Sequence, residues 1–494
     1  MKSSVLTLGL LVAASGVAAQ QRTPASLTLA DAIAIAREHN PTYLQTVNNR
    51  GPAAWASRNA FANLLIPTAT LSGGLSYTGT GSQRFLTANF SQAYSTLSSS
   101  YSIGLDWALS GSTLSQPGLA KAQLAAADAD IDGARATLES TVTQQYLTTL
   151  QARDNVAVAD QLVARDDEFL KLAQARYSVG QATLIDVRQA QVALGQARVA
   201  LLRARTTLRV EKLRLFEQMG VTAPTPVDSV ALTDTFTVEA PAWQLDELLT
   251  MAEEHNPALQ ALRARERSAS WSVKAAASSY GPSLLLSAGW SGFTQVLAKR
   301  NDLDQLVLSQ ALQSGAAYNS CQENNTIRAT SGLSPEDCSG LVWSASQEQA
   351  LRDQNSVFPF SFTGQPFQAR LSVSLPLWTN FQRPQQVAQA KAQHQDMEQS
   401  VRARGLALQT EVSQAYYTLQ TAFESVAIQD TNRVLGREQV QLATDRYKVG
   451  SGTFFELLDA QVAALQAETD YITAVYDYHR AVAALEAAVG RRLR

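Results

Sequence analysis

One segment of this chain is a second copy of another. Glu38-His39-Asn40-Pro41 returns as Glu254-His255-Asn256-Pro257 after 216 residues, and Arg176-Tyr177-Ser178-Val179-Gly180 returns as Arg446-Tyr447-Lys448-Val449-Gly450 after 270. Ala120-Lys121-Ala122-Gln123 and Gly220 reappear as Ala390-Lys391-Ala392-Gln393 and Gly490, again 270 residues on. Self-similarity of this depth means a duplicated structural unit, so whatever one half folds into, the other half repeats. The offsets differ by 54 residues, which places an insertion between the early and late landmarks of the second copy.

That insertion covers residues 294–366, is rich in Ser, Gln and Asn, and reads as a long loop replacing the shorter 79–100 segment of the first copy. It holds both cysteines of the chain, Cys321 and Cys338. The pair either closes the loop as a disulfide or stays as two thiols, because spacing alone does not bring side chains together. The domain plan is then a leader at 1–19, a first repeat at 20–220, a linker at 221–243 carrying Pro224, Pro226 and Pro241, and a second repeat at 244–494.

The leader has a lysine at position 2, an apolar run from Val5 to Ala14 and Val17-Ala18-Ala19 before Gln20, which is the pattern of a secretory signal peptide. Its apolar run is shorter than the roughly 20 residues of a spanning helix. With 40 basic and 43 acidic residues the chain shows no electrostatic footprint for nucleic acid.

Period identifies the elements. Val187, Leu194, Leu201, Leu208 and Leu215 recur every seventh residue beside Ala190, Ala197 and Ala204. Leu457, Ala464, Tyr471, Tyr478 and Leu485 do the same beside Ala460, Ala467, Ala474, Ala481 and Ala488. Such sustained heptads predict coiled-coil helices in close contact. A helix over 113–177 would be roughly 98 Å long, and the pieces 184–219 and 244–280, stacked end to end, would match it within about 15 Å. Asn40-Pro41 and Asn256-Pro257 put a capping residue before a proline, the mark of a helix that stops and restarts.

Two strand pairs interrupt these helices, near 68–78 with 101–110 and near 283–293 with 367–378. Leu71, Leu75 and Tyr77 alternate with Ser72, Gly74 and Ser76, and Leu371, Val373 and Leu375 alternate with Arg370, Ser372 and Ser374. Each run has one apolar face and is near the 9–11 residues that cross a bilayer when tilted. A soluble half-buried sheet alternates in the same way. Export and the lack of a second sheet to cover the apolar faces favour lipid. Four strands cannot close a barrel, whereas two chains pool eight with a filled interior and three pool twelve with room for water.

On the duplicated unit of a strand pair between helices, the two Arg-Tyr-x-Val-Gly turns followed by Asp186 or by Glu456 and Asp459, and Leu375-Pro376-Leu377-Trp378 after the last strand, the chain resembles the TolC-like outer-membrane efflux proteins. The resemblance implies a mainly α protein with a transmembrane β-barrel. Three protomers would share one twelve-stranded barrel in the outer membrane, and their helices would extend into the periplasm as a tunnel. It implies a passive duct for small molecules or polypeptides, loaded by an inner-membrane pump through a periplasmic adaptor. Gly180 and Gly450, with Val179 and Val449, would form helix-tip turns that meet the adaptor. Tyr447 and Asp186 would hold the periplasmic mouth shut, with Glu456 and Asp459 as an acidic ring, although Gly452 stands where the family carries a latching Arg. Lys448 is the substitute nearest in sequence. The rival readings are a structural or adhesive coiled-coil protein of the periplasm and a periplasmic adaptor. No phosphate loop, nucleophile motif or metal-ligand spacing is evident, so neither enzyme chemistry nor a cofactor is expected.

Overall fold

Threonine and glycine punctuate the long helices. The computed structural model describes residues 26–85, 88–92 and 94–493, so the leader at 1–19 lies outside the described residues. In chain order, β1 (Ser26–Leu27) leads into α1 (Leu29–His39), α2 (Pro41–Asn48) and α3 (Arg50–Leu65), then β2 (Thr68–Thr78), β3 (Gly81–Phe85), β4 (Ala88–Gln92) and β5 (Thr96–Ser110). Next come α4 (Gly111–Ser178), α5 (Leu184–Met219), β6 (Ala231–Leu232), α6 (Leu245–His255), α7 (Pro257–Ala277) and β7 (Ser283–Leu297). The chain continues through α8 (Arg300–Thr330), α9 (Ala345–Ser356), β8 (Thr363–Gly364), β9 (Gln368–Ser374), α10 (Gln382–Lys448) and α11 (Phe454–Val489).

Two compact units result: one joins the chain up to Trp55 with Lys121–Ser270 and everything from Ala392, the other joins Ala56–Ala120 with Trp271–Lys391. The first is helical, and its buried seam follows the heptads. Val187, Ala190, Leu194, Ala197, Leu201 and Leu215 of α5 are buried, as are Leu457, Ala460, Ala464, Ala474, Tyr478, Ala481 and Leu485 of α11. Alanine at every second seam position lets backbones approach closely. The seam loosens near Ala204 and Leu208 of α5 and near Ala467 and Tyr471 of α11, which are half-buried.

Each broken helix is a joint with a partner. The Asn40 side chain caps α2 by accepting from the Tyr43 N–H at 3.0 Å and donates from Nδ2 to the Gln218 carbonyl at 2.8 Å. Asn256 accepts from the Leu259 N–H at 3.0 Å and donates to the Ala488 carbonyl at 2.8 Å. The end of α5 therefore meets the break before α2, and the end of α11 meets the break before α7. That corrects the expectation that 184–219 is continued by 244–280. Only a break exposes a capping amide able to satisfy the carbonyls at a neighbouring helix end, and Asn40 and Asn256 each reach the nearer one.

The 221–243 segment is tied down as well. β6 pairs in parallel with β1, Lys212 donates to the Val230 carbonyl at 2.7 Å, Arg153 to the Leu232 carbonyl at 2.9 Å, and the Tyr478 hydroxyl to the Glu239 carbonyl at 2.6 Å. Val230 and Leu232 are buried with Leu27, Tyr146 and Phe216.

The second unit is built on a sheet of order β2-β5-β7-β9, all neighbours antiparallel, with β8 also on β7. Register sorts its side chains by face. Leu71 opposes Ile103, which opposes Trp290; Ala69, Leu105, Ala288 and Ala369 form the next row, then Trp107, Leu286 and Leu371, then Leu109, Leu284 and Val373. The other face carries Ser72, Ser102 and Ser291 in one row and Asp106, Ser287 and Arg370 in another. Serine pairs bond across it, Ser72 to Ser102 at 2.7 Å and Ser76 to Ser98 at 2.6 Å. Both outer strands, β2 and β9, are exposed along their whole length.

Three boundaries depart from the sequence-based expectation. β5 begins at Thr96 rather than near 101, because Thr96 to Ser100 keep pairing with Gly74 to Thr78. The last strand ends at Ser374 rather than 378, where Pro376 has no N–H to continue a ladder. The 294–366 insertion is not a loop: β7 runs on to Leu297, and α8 and α9 occupy most of the remaining residues. Gln and Ala are good helix formers, and Leu303, Leu306 and Val307 recur at helical spacing, of which Leu303 and Val307 are buried. Cys321 and Cys338 form a disulfide that clips the end of α8 to the segment after it. Asp302 accepts from the Ser95 N–H at 2.9 Å and its hydroxyl at 2.6 Å, and Asn355 accepts from the Leu297 N–H at 2.6 Å, fastening both helices to strand ends. No helix among the described residues is long and apolar enough to cross a membrane.

Candidate functional site at the helix turns

The two Arg-Tyr-x-Val-Gly turns are helix reversals with the same hydrogen bonds. Gly180 and Gly450 sit at φ of +75° and +81°, and their N–H groups donate to Tyr177 O at 3.0 Å and Tyr447 O at 3.2 Å. The next residues, Gln181 and Ser451, donate to Arg176 O at 2.9 Å and Arg446 O at 3.0 Å. A left-handed glycine is what this helix stop requires. Val179 and Val449 stand at the apices, 66% and 79% exposed. Thr183 and Thr453 restart the chain by capping α5 and α11 through the N–H groups of Asp186 and Glu456.

Beneath the turns Phe169, Ala173, Val187, Ala190, Tyr447, Phe454 and Leu457 form a small core. Tyr447 is 3% exposed, whereas its counterpart Tyr177 is 47% exposed, so the two turns are not equivalent. The Tyr447 ring lies 5.6 Å from that of Phe454, and the Arg176 guanidinium stands over it with its carbon 4.5 Å from the centroid. Arg176 also reaches Gln181 O at 3.1 Å and the space beside Gly450, which it would contact at 3.4 Å if a Cβ were present. Burial pushes the Tyr447 hydroxyl above its usual pKa, and the nearby Asp186 carboxylate adds to the rise.

Of the expected residues, Asp186 and Tyr447 come together, but the carboxylate is held by Thr183, accepting from its N–H at 2.8 Å and its hydroxyl at 3.0 Å. Glu456 faces Arg446 at 3.6 Å, and Asp459 is exposed. Lys448 turns to Asp445 on its own helix, 3.5 Å away, not to Asp186. Gly452 is no vacant slot: a Cβ there would meet Arg446 Cβ at 3.1 Å and Glu456 Oε2 at 3.2 Å. The cation that joins the turns is Arg176, which stands in the repeated motif but had no expected role. Its recurrence beside both tyrosines is the signal that could have found it.

Further along the same seam Asp166 of α4 is buried against Gln461 of α11, whose amide donates to it at 3.3 Å. Burial pushes this carboxyl up to about 6, opposed by Arg165 and by the Gln461 bond. With the folded pKa above the unfolded one, the folded state binds the extra proton between about pH 4 and 6, so this group makes stability fall as pH rises through that window. Asp166→Asn is expected to remove this slope and to stabilise the helical unit at pH 7.5 while changing little at pH 4. Urea unfolding at the two pH values checks it.

A four-stranded sheet with one apolar face, joined in one chain to helices of 68 and 67 residues and to the heptad-patterned α5 and α11, defines a mainly helical class of protein whose main sheet is built on β2, β5, β7 and β9. Three comparisons sharpen that. The sequence profile of the outer membrane efflux proteins matches residues 32–221 and 341–491, more than half of the chain. The chain belongs to that family, whose members are channels and not enzymes. A membrane protein from Pseudomonas aeruginosa is similar in fold, with 18% identity, a TM-score of 0.68, and 94% of this chain and 90% of that one covered. The outer membrane protein VceC from Vibrio cholerae matches with 17% identity and a TM-score of 0.68 over 94% of this chain and 97% of its own. The open state of the MtrE outer membrane channel of Neisseria gonorrhoeae matches with 19% identity and a TM-score of 0.66 over 94% and 89%. No curated protein matches by sequence.

Proposed function

We propose that this protein is the outer-membrane exit duct of a tripartite export system, acting as a homotrimer. The observation that carries the reading is the β2-β5-β7-β9 sheet, apolar on one face and open at both edges. An open, exposed edge in a lipid-facing sheet is costly unless another strand pairs with it. β2 and β9 run in opposite directions, so β9 of one copy meets β2 of the next in the antiparallel sense and the pattern closes on itself. Three copies make a twelve-stranded barrel with its serine-lined face inward, wide enough for water. Outer-membrane lipid covers the apolar face, and the helical hairpins line a periplasmic tunnel.

The duplicated sequence supports this plan, since each repeat supplies one strand pair and one hairpin with its tip turn. The exposed apices Val179, Gly180, Val449 and Gly450 present small apolar knobs to a periplasmic adaptor, which couples the duct to an inner-membrane pump. Energy comes from that pump. Substrate passes down the bore without chemistry.

Gating resides in the tip turns. Arg176 over Tyr447, with Asp186 beside them, ties the first hairpin to the second, and Glu456 and Asp459, repeated three times about the axis, favour cations at the mouth. A cation–π contact is worth about 0.5–2 kcal/mol. Three of them released together amount to about 1.5–6 kcal/mol and shift the closed-to-open ratio by roughly 10- to 10,000-fold. Arg176→Ala, Tyr447→Ala and Asp186→Ala are each expected to raise the conductance of channels in planar bilayers. Unchanged conductance in all three single variants and in Arg176→Ala/Asp186→Ala would remove the gate from this site. Recovery of the wild-type protein in the periplasmic soluble fraction, without conductance, would instead support a coiled-coil protein of the periplasm.

A further inference from the structure

Glu266, His394 and Glu398 converge on the helical unit, away from the turns and joints. Glu266 lies on α7, and His394 and Glu398 lie one turn apart on α10, where side chains at i and i+4 share a face. His394 Nε2 is 2.8 Å from Glu266 Oε1, and Nδ1 is 3.7 Å from Glu398 Oε1. One ligand atom from each of the three residues falls within 4.8 Å of the others.

We infer that these three side chains form a binding site for a divalent transition ion of the zinc type, which staples α7 to α10. The donor set is one imidazole nitrogen and two carboxylates, the mixture that Zn²⁺ accepts, with water filling the fourth position. Bonds of 2.0–2.2 Å in a tetrahedron place ligand atoms roughly 3.3 Å apart, so small rotations of these side chains are enough to close around an ion. The imidazole now spans the two carboxylates through both of its nitrogens; on binding it gives one nitrogen to the ion and turns the other to solvent or to one carboxylate. Charge points the same way. Among the described residues neither Glu266 nor Glu398 has a Lys or Arg ion-pair partner, and with a neutral ring the cluster holds two uncompensated negative charges that a divalent ion cancels. His394 is 24% and Glu266 29% exposed at the side chain, sheltered yet reachable by an ion from solution. The disulfide withdraws Cys321 and Cys338 as competing thiolate ligands.

The site was not legible in the sequence, because Glu266 and His394 are 128 residues apart. It does not depend on the channel reading.

The test is calorimetric titration of ZnCl₂ into the detergent-solubilised full-length protein, stripped with a chelator, together with the variants His394→Ala, Glu266→Gln and Glu398→Gln. One ion per chain is expected for the wild type. His394→Ala is expected to weaken binding by more than the roughly 10–100-fold that loss of an outer-shell partner costs, and Zn²⁺ should raise the unfolding midpoint of the wild type but not of His394→Ala. X-ray absorption at the zinc edge should show one nitrogen of a single imidazole, the rest oxygen, and no sulfur. Absence of saturable binding by the wild type overturns the proposal, and so does one-to-one binding that survives in His394→Ala.

Discussion

Gly220→Ala is expected to destabilise the helical unit more than any other single-methyl addition in the two long hairpins. Gly220 ends α5 at φ +74°, with its N–H on Glu217 O at 3.0 Å and the next N–H on Phe216 O at 3.1 Å. A left-handed backbone costs a residue with a Cβ about 1–3 kcal/mol. Space is worse than strain here: the added carbon would lie 2.4 Å from His39 O and 2.7 Å from Asn40 Cα, both backbone atoms of the break before α2. Either α5 withdraws, losing the Asn40 bond to Gln218 O, or α1 and α2 shift and disturb the core around Ile33, Tyr146 and Phe216. Gly490→Ala should act alike, since its Cβ would lie 2.5 Å from His255 O at φ +81°. Gly195, inside α5 with nothing within 4 Å of its Cβ position, is the control, and Gly195→Ala should be neutral or stabilising by up to about 1 kcal/mol. Denaturant midpoints of the three variants decide the matter: equal midpoints for Gly220→Ala and Gly195→Ala would refute the joint.

The second large effect concerns the sheet. Leu71 heads the row that continues through Ile103 to Trp290, and it is 77% exposed within one chain. If lipid covers that face, Leu71→Arg costs about 2–4 kcal/mol per chain near the bilayer midplane. Three copies multiply the penalty, enough to abolish assembly in the outer membrane. Ser72 is the next residue, on the serine face, where it bonds Ser102. Ser72→Arg should assemble and alter conductance instead, because its side chain meets the bore. The opposite ranking of the two variants in outer-membrane yield would put lipid on the wrong face.

Much of the fold is legible in the sequence wherever a period or a cap decides. The 184–219 helix agrees with α5 to the residue, since Thr183 caps it and Gly220 stops it. Strand faces follow from alternation, because a register of two leaves no freedom once one face is apolar. The features that escape depend on meetings between distant segments. Polarity in 300–356 reads as loop, yet Leu303 and Val307 are buried, and Asp302 has Ser95 to hold. Which helix end meets which break is set by Asn40 and Asn256 finding carbonyls 178 and 232 residues away. At the turns, Asp186 and Tyr447 are recognisable by position. Arg176 is not, because its partner stands in the other copy, and Gly452 proves to be filled space next to Arg446 and Glu456.

The strand pairs read as two separate hairpins in the sequence, but β5 pairs with β7 along fifteen residues, so the two pairs form one continuous sheet with two free edges. Those edges make the trimer the central claim, and the mass of the native assembly tests it most directly. Native mass spectrometry of the detergent-extracted full-length protein from outer membranes should give three chains, falling to one after boiling. A species of one or two chains before heating would contradict the account.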